Sequence, residues 1–212
     1  MNTVVVTGVS RGLGKFVAEA FTKNGWRVIG TGRSDRPEDL GSSIEYQQFD
    51  ASDSKAAADF WQQLAAEGEV CLVNNAGGFA GGKLIEAKPE DYERQMQSNY
   101  FAGVNMTRGL VQNIKKARII NIISAVALTP LPGMGSYGAA KAASRQFFQS
   151  LQKELSDRDY QITNLYPSYI ATNGQDPTNA ILPEDLAGLI IQLAESHTSL
   201  YPTDITILPS KF

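Results

Sequence analysis

TVVVTGVSRGLGKFVAEAF, residues 3–21, is the stretch on which the reading of this chain turns. The β-branched run at 3–6 gives way to three closely spaced glycines and then to apolar residues at 16, 17, 20 and 21, a helical period that stops at Gly25. A strand that does not alternate apolar with polar residues is covered on both faces, as strands of a parallel sheet are. Gly8, Gly12 and Gly14 permit a sharp strand-to-helix turn and let backbone N–H groups come close to a pyrophosphate, whose charge is favoured at a helix N-terminus. Their spacing is GxxxGxG and not GxGxxG, so the loop is a neighbour of the dinucleotide fingerprint. Glycines that serve only a tight turn are the alternative.

Outward from this stretch, short strand-like runs recur: WRVIGT at 26–31, IEYQQF at 44–49, VCLVNN at 70–75, RIINII at 118–123, QITNLY ahead of Pro167, and DITILP at 204–209. Helical patterns fall between most of them, and Pro89 and Pro183, each followed by Glu-Asp, stand where helices begin. Strand and helix in alternation with right-handed crossovers predict a doubly wound parallel sheet of about seven strands with helices on both faces, a three-layer α/β/α Rossmann arrangement. Residues 1–212 read as a single domain, with no linker or low-complexity tract dividing them. Ligands of such sheets bind beyond the carboxyl ends of the strands.

The composition narrows the partners. A formal charge of -3 speaks against a nucleic-acid or anionic-membrane surface, and KKAR at 115–118 reads as a solvated helix end. Cys71 is the lone cysteine, so an intramolecular disulfide and a metal site of the cysteine type are excluded, and a reducing compartment fits. The start MNTVVVTG has neither the basic region nor the apolar run of a signal peptide, which points to the cytoplasm. His197, the lone histidine, reads as a surface residue in ESHTS, without the partners a metal or triad site needs.

SYGAAK at 136–141 sets a phenol and an ammonium four residues apart, on one face of a helix. With TGVSRGLG at 7–14, NNAG at 74–77, Asn99, Ser124 and YGAAK at 137–141 in this order, the chain resembles the short-chain dehydrogenase/reductase family from about residue 3 to the end. The resemblance implies hydride transfer between a nicotinamide and a carbonyl or alcohol. It makes Tyr137 the general acid or base, Lys141 the group that lowers its pKa and holds the nicotinamide ribose, Ser124 a donor to the substrate oxygen, and Asn99 the support of a water-mediated relay. An ammonium about 4 Å from the phenol supplies on the order of 4 kcal/mol at an effective dielectric near 20, and only about 1 in water, so the pair needs a partly closed site.

For the cofactor, the resemblance implies a phosphate turn of Gly8, Ser10, Arg11, Gly12, Leu13 and Gly14. Asp50 meets the adenine, Asn74, Ala76 and Gly77 pack beside the adenosine ribose, and Pro167, Ile170 and Thr172 form the nicotinamide platform. After the second strand Arg33 stands where an acid would select NAD, and with Arg11 it favours NADP(H) over NAD(H), Asp35 notwithstanding. Two departures are visible: Pro167-Ser168 replaces the family's Pro-Gly, and Pro183 comes only eleven positions after Thr172, so the lid, about 173–182, is short and the pocket open. Broad activity on ketones or aldehydes is the expectation, with GGFAGGK at 77–83 as a partial replacement for the lid. Relatives commonly pair through the helices carrying Asn99 and Tyr137, so a homodimer or homotetramer is expected, although FFQSL at 147–151 suits ordinary core packing equally. A catalytically silent NADPH-binding sensor or scaffold of the same fold, and epimerisation or dehydration of a nucleotide sugar, are the competing readings.

Overall fold

The computed structural model describes residues 1–66, 68–172, 174–196 and 200–210. Seven parallel strands, β1 (Thr3–Thr7), β2 (Arg27–Gly32), β3 (Glu45–Gln48), β4 (Val70–Asn74), β5 (Ala117–Ile122), β6 (Tyr160–Pro167) and β7 (Asp204–Ile207), form one sheet in the order β3-β2-β1-β4-β5-β6-β7. The chain reverses direction across the sheet between β1 and β4, so the crevice for a ligand lies at their carboxyl ends.

Helices α1 (Leu13–Lys23) and α6 (Pro183–Glu195) cover one face. On the other lie α2 (Ser54–Gln63), α3 (Pro89–Met96), α4 (Ala102–Asn113) and α5 (Gly135–Glu154). The VVV of β1 shows why the run does not alternate: Val4 and Val6 join Val17, Phe21 and Ile190 in one core, while Val5 joins Trp61, Leu72, Met106 and Ile119 in the other. Each such side chain fully removed from water contributes about 1.5–3 kcal/mol, so a polar residue at any of the three would weaken one layer.

Helix starts follow the sequence. Pro89 and Pro183 open α3 and α6, and at α3 the Lys88 N–H donates to Asp91 Oδ2 at 3.1 Å. Gly25, at φ 77°, ends α1, and Trp26 folds back edge-on to Phe21 with ring centroids 5.1 Å apart. KKAR is not a helix end: α4 stops at Asn113, Lys115 and Lys116 lie in the turn that follows, and Arg118 is half-buried in β5, donating to the carbonyls of Leu193 and Ser196 at the end of α6. The strand turned the arginine inward, where carbonyls at the end of the helix accept its hydrogen bonds. The reading of His197 lies outside the described residues.

One polar row crosses the α4 face of the sheet. Asn74 Nδ2 donates to Thr107 Oγ1 and Asn121 Oδ1, both at 2.9 Å; Asn121 Nδ2 donates to Asn164 Oδ1 at 2.9 Å, and Asn164 Nδ2 to Asp204 Oδ1 at 3.3 Å. The four residues are register partners on β4, β5, β6 and β7. Tyr166 closes the row, its hydroxyl donating to Asp204 Oδ1 at 2.5 Å. Among the described residues no helix is long and apolar enough to cross a membrane.

Candidate active site

The glycine turn between β1 and α1 is held from the neighbouring strand. Asn75 Nδ2 donates to the carbonyls of Thr7 (2.9 Å) and Gly8 (3.1 Å), and the N–H groups of Asn75 and Ala76 return to Thr7 Oγ1 at 3.0 and 2.9 Å. This latch leaves no room for side chains: a Cβ on Gly14 would lie 2.3 Å from the Gly8 carbonyl oxygen and 2.4 Å from Asn75 Nδ2. Gly8 and Gly12 take left-handed backbone, φ 73° and 60°. Helix α1 begins with no side-chain cap and no acid in its first turn, an N-terminus whose dipole favours an anion.

At the end of β2 the Tyr46 hydroxyl, arriving from β3, donates to the Ser34 carbonyl at 2.7 Å and lies 3.5 Å from Ser10 Oγ. A Cβ on Gly32 would fall 2.4 Å from that hydroxyl. Tyr46 thereby ties the glycine turn to the turn that carries Arg33. Arg11 and Arg33 are exposed, and among the described residues neither guanidinium has an acidic partner, whereas Arg27 and Lys15 are committed to Glu45 and Asp39. Asp50 is exposed and closes its own turn through the Ser52 N–H (2.9 Å) and hydroxyl (2.8 Å).

A cleft of about 210 Å³ opens at the carboxyl ends of β4, β5 and β6, and Leu13, Gly77, Asn99, Ser124, Tyr137, Lys141, Pro167, Ile170 and Thr172 all border it. Asn99 sits in a π-helical turn, Gln97–Phe101, between α3 and α4. Such turns rearrange the local backbone bonding and recur at functional sites. The Asn99 amide grips Gly78 from both sides, donating to its carbonyl (2.8 Å) and accepting from its N–H (3.3 Å), while the Asn99 carbonyl accepts from Ser144 Oγ at 2.7 Å. Gly77 is squeezed between Asn99 and Lys141, its would-be Cβ 2.6 Å from Asn99 Oδ1 and 3.6 Å from Lys141 Nζ.

Tyr137 and Lys141 share the first turns of α5, with Nζ 5.7 Å from the centre of the phenol ring. The ammonium donates to the Ile122 carbonyl at 3.0 Å, and burial brings its pKa down to about 8. Ser124 follows β5, its hydroxyl accepting from the Val126 N–H at 3.3 Å, and it borders the cleft together with Tyr137. The phenol's pKa is raised, chiefly because burial penalises the phenolate, with the Ser124 hydroxyl offsetting part of that. This corrects the expectation of a lowered value: the ammonium is turned to a backbone carbonyl, and desolvation prevails.

Strand alternation turns the Asn74 side chain away from the cleft into the polar row beneath α4, and Asn75 lines the cleft in its place. Ala76 lies against Gly8. Asn75, Ile122 and Ile123 were not singled out by the sequence, and Phe79 and Ser168 stood out only as part of GGFAGGK and of the Pro-Ser departure; the second Asn of NNAG was a visible signal for the first of them. The Ser168 hydroxyl is buried without a partner. A larger cleft, about 1360 Å³, opens at the opposite ends of β4, β5 and β6 and contains none of these groups. Among the described residues no cluster of His, Cys, Asp or Glu could hold a metal.

Residues 2–181 match the family model described as short chain dehydrogenase. The 3-oxoacyl-[acyl-carrier-protein] reductase FabG of Haemophilus influenzae is 32% identical over 196 residues, covering 88% of this chain and 80% of that protein. The NADP-dependent 3-hydroxy acid dehydrogenase YdfG of Salmonella typhi is 30% identical over 214 residues, covering 96% and 85%. The crystal structure of serine dehydrogenase from Escherichia coli superposes with a TM-score of 0.86 at 28% identity, covering 98% of this chain and 97% of that one. Likeness of this extent, running from the first strand through the glycine turn and the Tyr137-Lys141 helix, means that the chain belongs to the short-chain dehydrogenase family of oxidoreductases.

Proposed function

We propose that the protein is an NADP(H)-dependent reductase of ketones and aldehydes, or in reverse an alcohol dehydrogenase, with Ser124, Tyr137 and Lys141 at its centre. The observation that carries this is the meeting of three groups in one cleft: the Ser124 hydroxyl, the Tyr137 phenol, and Lys141 one helical turn from that phenol. The turn at Gly8, Gly12 and Gly14 fits a pyrophosphate because a Cβ at Gly14 would fill the space, and the unpaired Arg11 and Arg33 fit a 2′-phosphate. NADPH, when bound, supplies the hydride. Thr172 and Ile170, which line the cleft, would hold the nicotinamide end and Lys141 the ribose, with Asn99 supporting a water-mediated relay.

On this reading Ser124 donates to the substrate oxygen as negative charge develops there, and Tyr137 delivers the proton. The raised pKa keeps Tyr137 protonated at neutral pH, which is the form reduction requires. Lys141, at about 8, keeps its charge at pH 7 and is placed to favour the phenolate once the proton has left. We read residues 1–212 as one dinucleotide-binding unit with a short lid at about 173–182, of which the described part is a loop pinned by a bridge between Ile170 and Ile181. The aromatic chain Tyr100, Phe101 and Phe147, from the π-helical turn and α5, is our ground for a homodimer or homotetramer, and we place the protein in the cytoplasm. A silent NADPH sensor is the second reading, favoured by the open lid.

The test is NADPH oxidation against a panel of ketones, aldehydes and quinones. Tyr137→Phe should lower kcat about a thousandfold while the Kd for NADPH stays within about twofold. Tight NADPH binding with no turnover of any member would favour the sensor.

A further inference from the structure

The relatives named above include enzymes of hydroxy acids and serine, substrates that carry a carboxylate. Among the described residues, the cleft offers such a group no uncommitted cation. Among the described residues that border it, Lys141 is the one charged side chain, and the residue is 6% exposed with its Nζ spent on the Ile122 carbonyl and the neighbourhood of Tyr137. The cation of the adjoining loop, Lys83, is paired with Glu86 at 3.1 Å, and the β6–α6 loop presents Asp176, an anion, with its carboxylate already accepting from the Thr178 N–H at 2.8 Å. A carboxylate brought beside Tyr137 would lose water and gain no partner.

What the cleft does offer is an aromatic wall. Phe79, from the loop after β4, stands edge-on to Tyr137, ring centroids 5.4 Å apart at 89°, and remains 61% exposed. Its loop is fastened beside the start of α5: the Gly82 N–H donates to the Gly133 carbonyl at 2.8 Å, and Leu84 occupies the space over Gly135. Tyr169 and Leu131 add exposed apolar surface on the segments that follow β6 and precede α5. An exposed phenylalanine set at right angles to a tyrosine is an unfilled half of an aromatic contact.

We infer, resting on the reductase reading, that the substrate is an uncharged ketone or aldehyde whose aryl or branched alkyl group lies against Phe79, and that 3-oxo and hydroxy acids are rejected for want of a cation. Phe79 is then a specificity-determining residue supplied by the β4–α3 loop in place of the short lid.

The experiment compares acids with their own esters. With NADPH in excess, methyl benzoylformate and ethyl acetoacetate are assayed beside benzoylformate and acetoacetate. The esters should exceed the acids in kcat/KM by about 50-fold or more, the range of discrimination expected when a charged group goes unpaired. For the aryl ester, Phe79→Ala should raise KM about tenfold with kcat and the Kd for NADPH nearly unchanged, and Phe79→Leu should restore most of the loss. Acids turned over as well as their esters, or a Phe79→Ala variant with unaltered KM, would overturn the inference and leave the reductase reading standing. No turnover of any ester or acid would overturn that reading and the inference with it.

Discussion

A methyl group added at Gly14 would lie 2.3 Å from a backbone carbonyl, whereas one added at Gly78, Gly133 or Gly174 would meet nothing within 4 Å. The first glycine belongs to the side of the cleft proposed for the nucleotide and the other three to the side proposed for the substrate. On the nucleotide side the backbone of β1 is latched to that of β4 by Thr7 and Asn75, and a Cβ at Gly14 has nowhere to go. On the substrate side the loops touch each other at a few bonds and leave Phe79, Leu131 and Tyr169 facing water. Close packing allows one solution and therefore fixes what is bound. Loose loops accept changes of side chain, which is how one family holds its cofactor while its members differ in substrate.

Gly14→Ala is the strongest way to break this contrast. The Cβ meets backbone, which cannot swing aside, so a loss of about 1–3 kcal/mol in stability and a fall of about 100-fold or more in NADPH affinity are expected, by thermal melts and fluorescence titration. A smaller but still large effect belongs to Lys141, at the seam of the two sides. Its ordinary value of 10.5 is lowered by burial to about 8, so between those pH values the unfolded chain holds a proton that the folded chain has given up. Stability therefore rises with pH across that window, by about 3 kcal/mol at roughly 1.4 per tenfold, relative to a Lys141→Met variant followed in urea at pH 7.5 and 10.

Arg33→Ala should weaken NADPH binding about tenfold and leave NADH within about twofold, since one charge-assisted contact to a 2′-phosphate is lost. Equal losses for both nucleotides would show that Arg33 acts on the fold and not on the phosphate. The mildest substitution sharpens the comparison from the other side: Gly78→Ala, with open space and no left-handed backbone, should change stability by less than about 0.5 kcal/mol.

The layers of the fold could be read from the sequence because its strands and helices differ in period, and the Val4-Val5-Val6 run already implied two covered faces. Tyr137, Lys141 and Ser124 were legible from spacing and motif order, and the structure brings them together. Asn75, Tyr46 and Phe79 were not, since each acts on a residue 36 or more positions away, and no local pattern records such a meeting. The direction of the Tyr137 pKa was misjudged for a related reason: spacing in sequence counts the nearby ammonium, while desolvation depends on everything folded over the phenol.

The polar row through Asn74, Asn121, Asn164 and Asp204 bears on how the sheet opens. A slip of β6 by one residue would turn Asn164 to the opposite face and break the rungs to Asn121 and Asp204 together, so misaligned pairings are penalised on two sides at once. The four-residue edge strand β7, too short to resist fraying by its own ladder, is bound into the same unit through Asp204. Its amide protons should therefore exchange with solvent at the rate of the central strands, by wholesale opening, and Asp204→Ala should release them to exchange early while β1 and β4 stay protected.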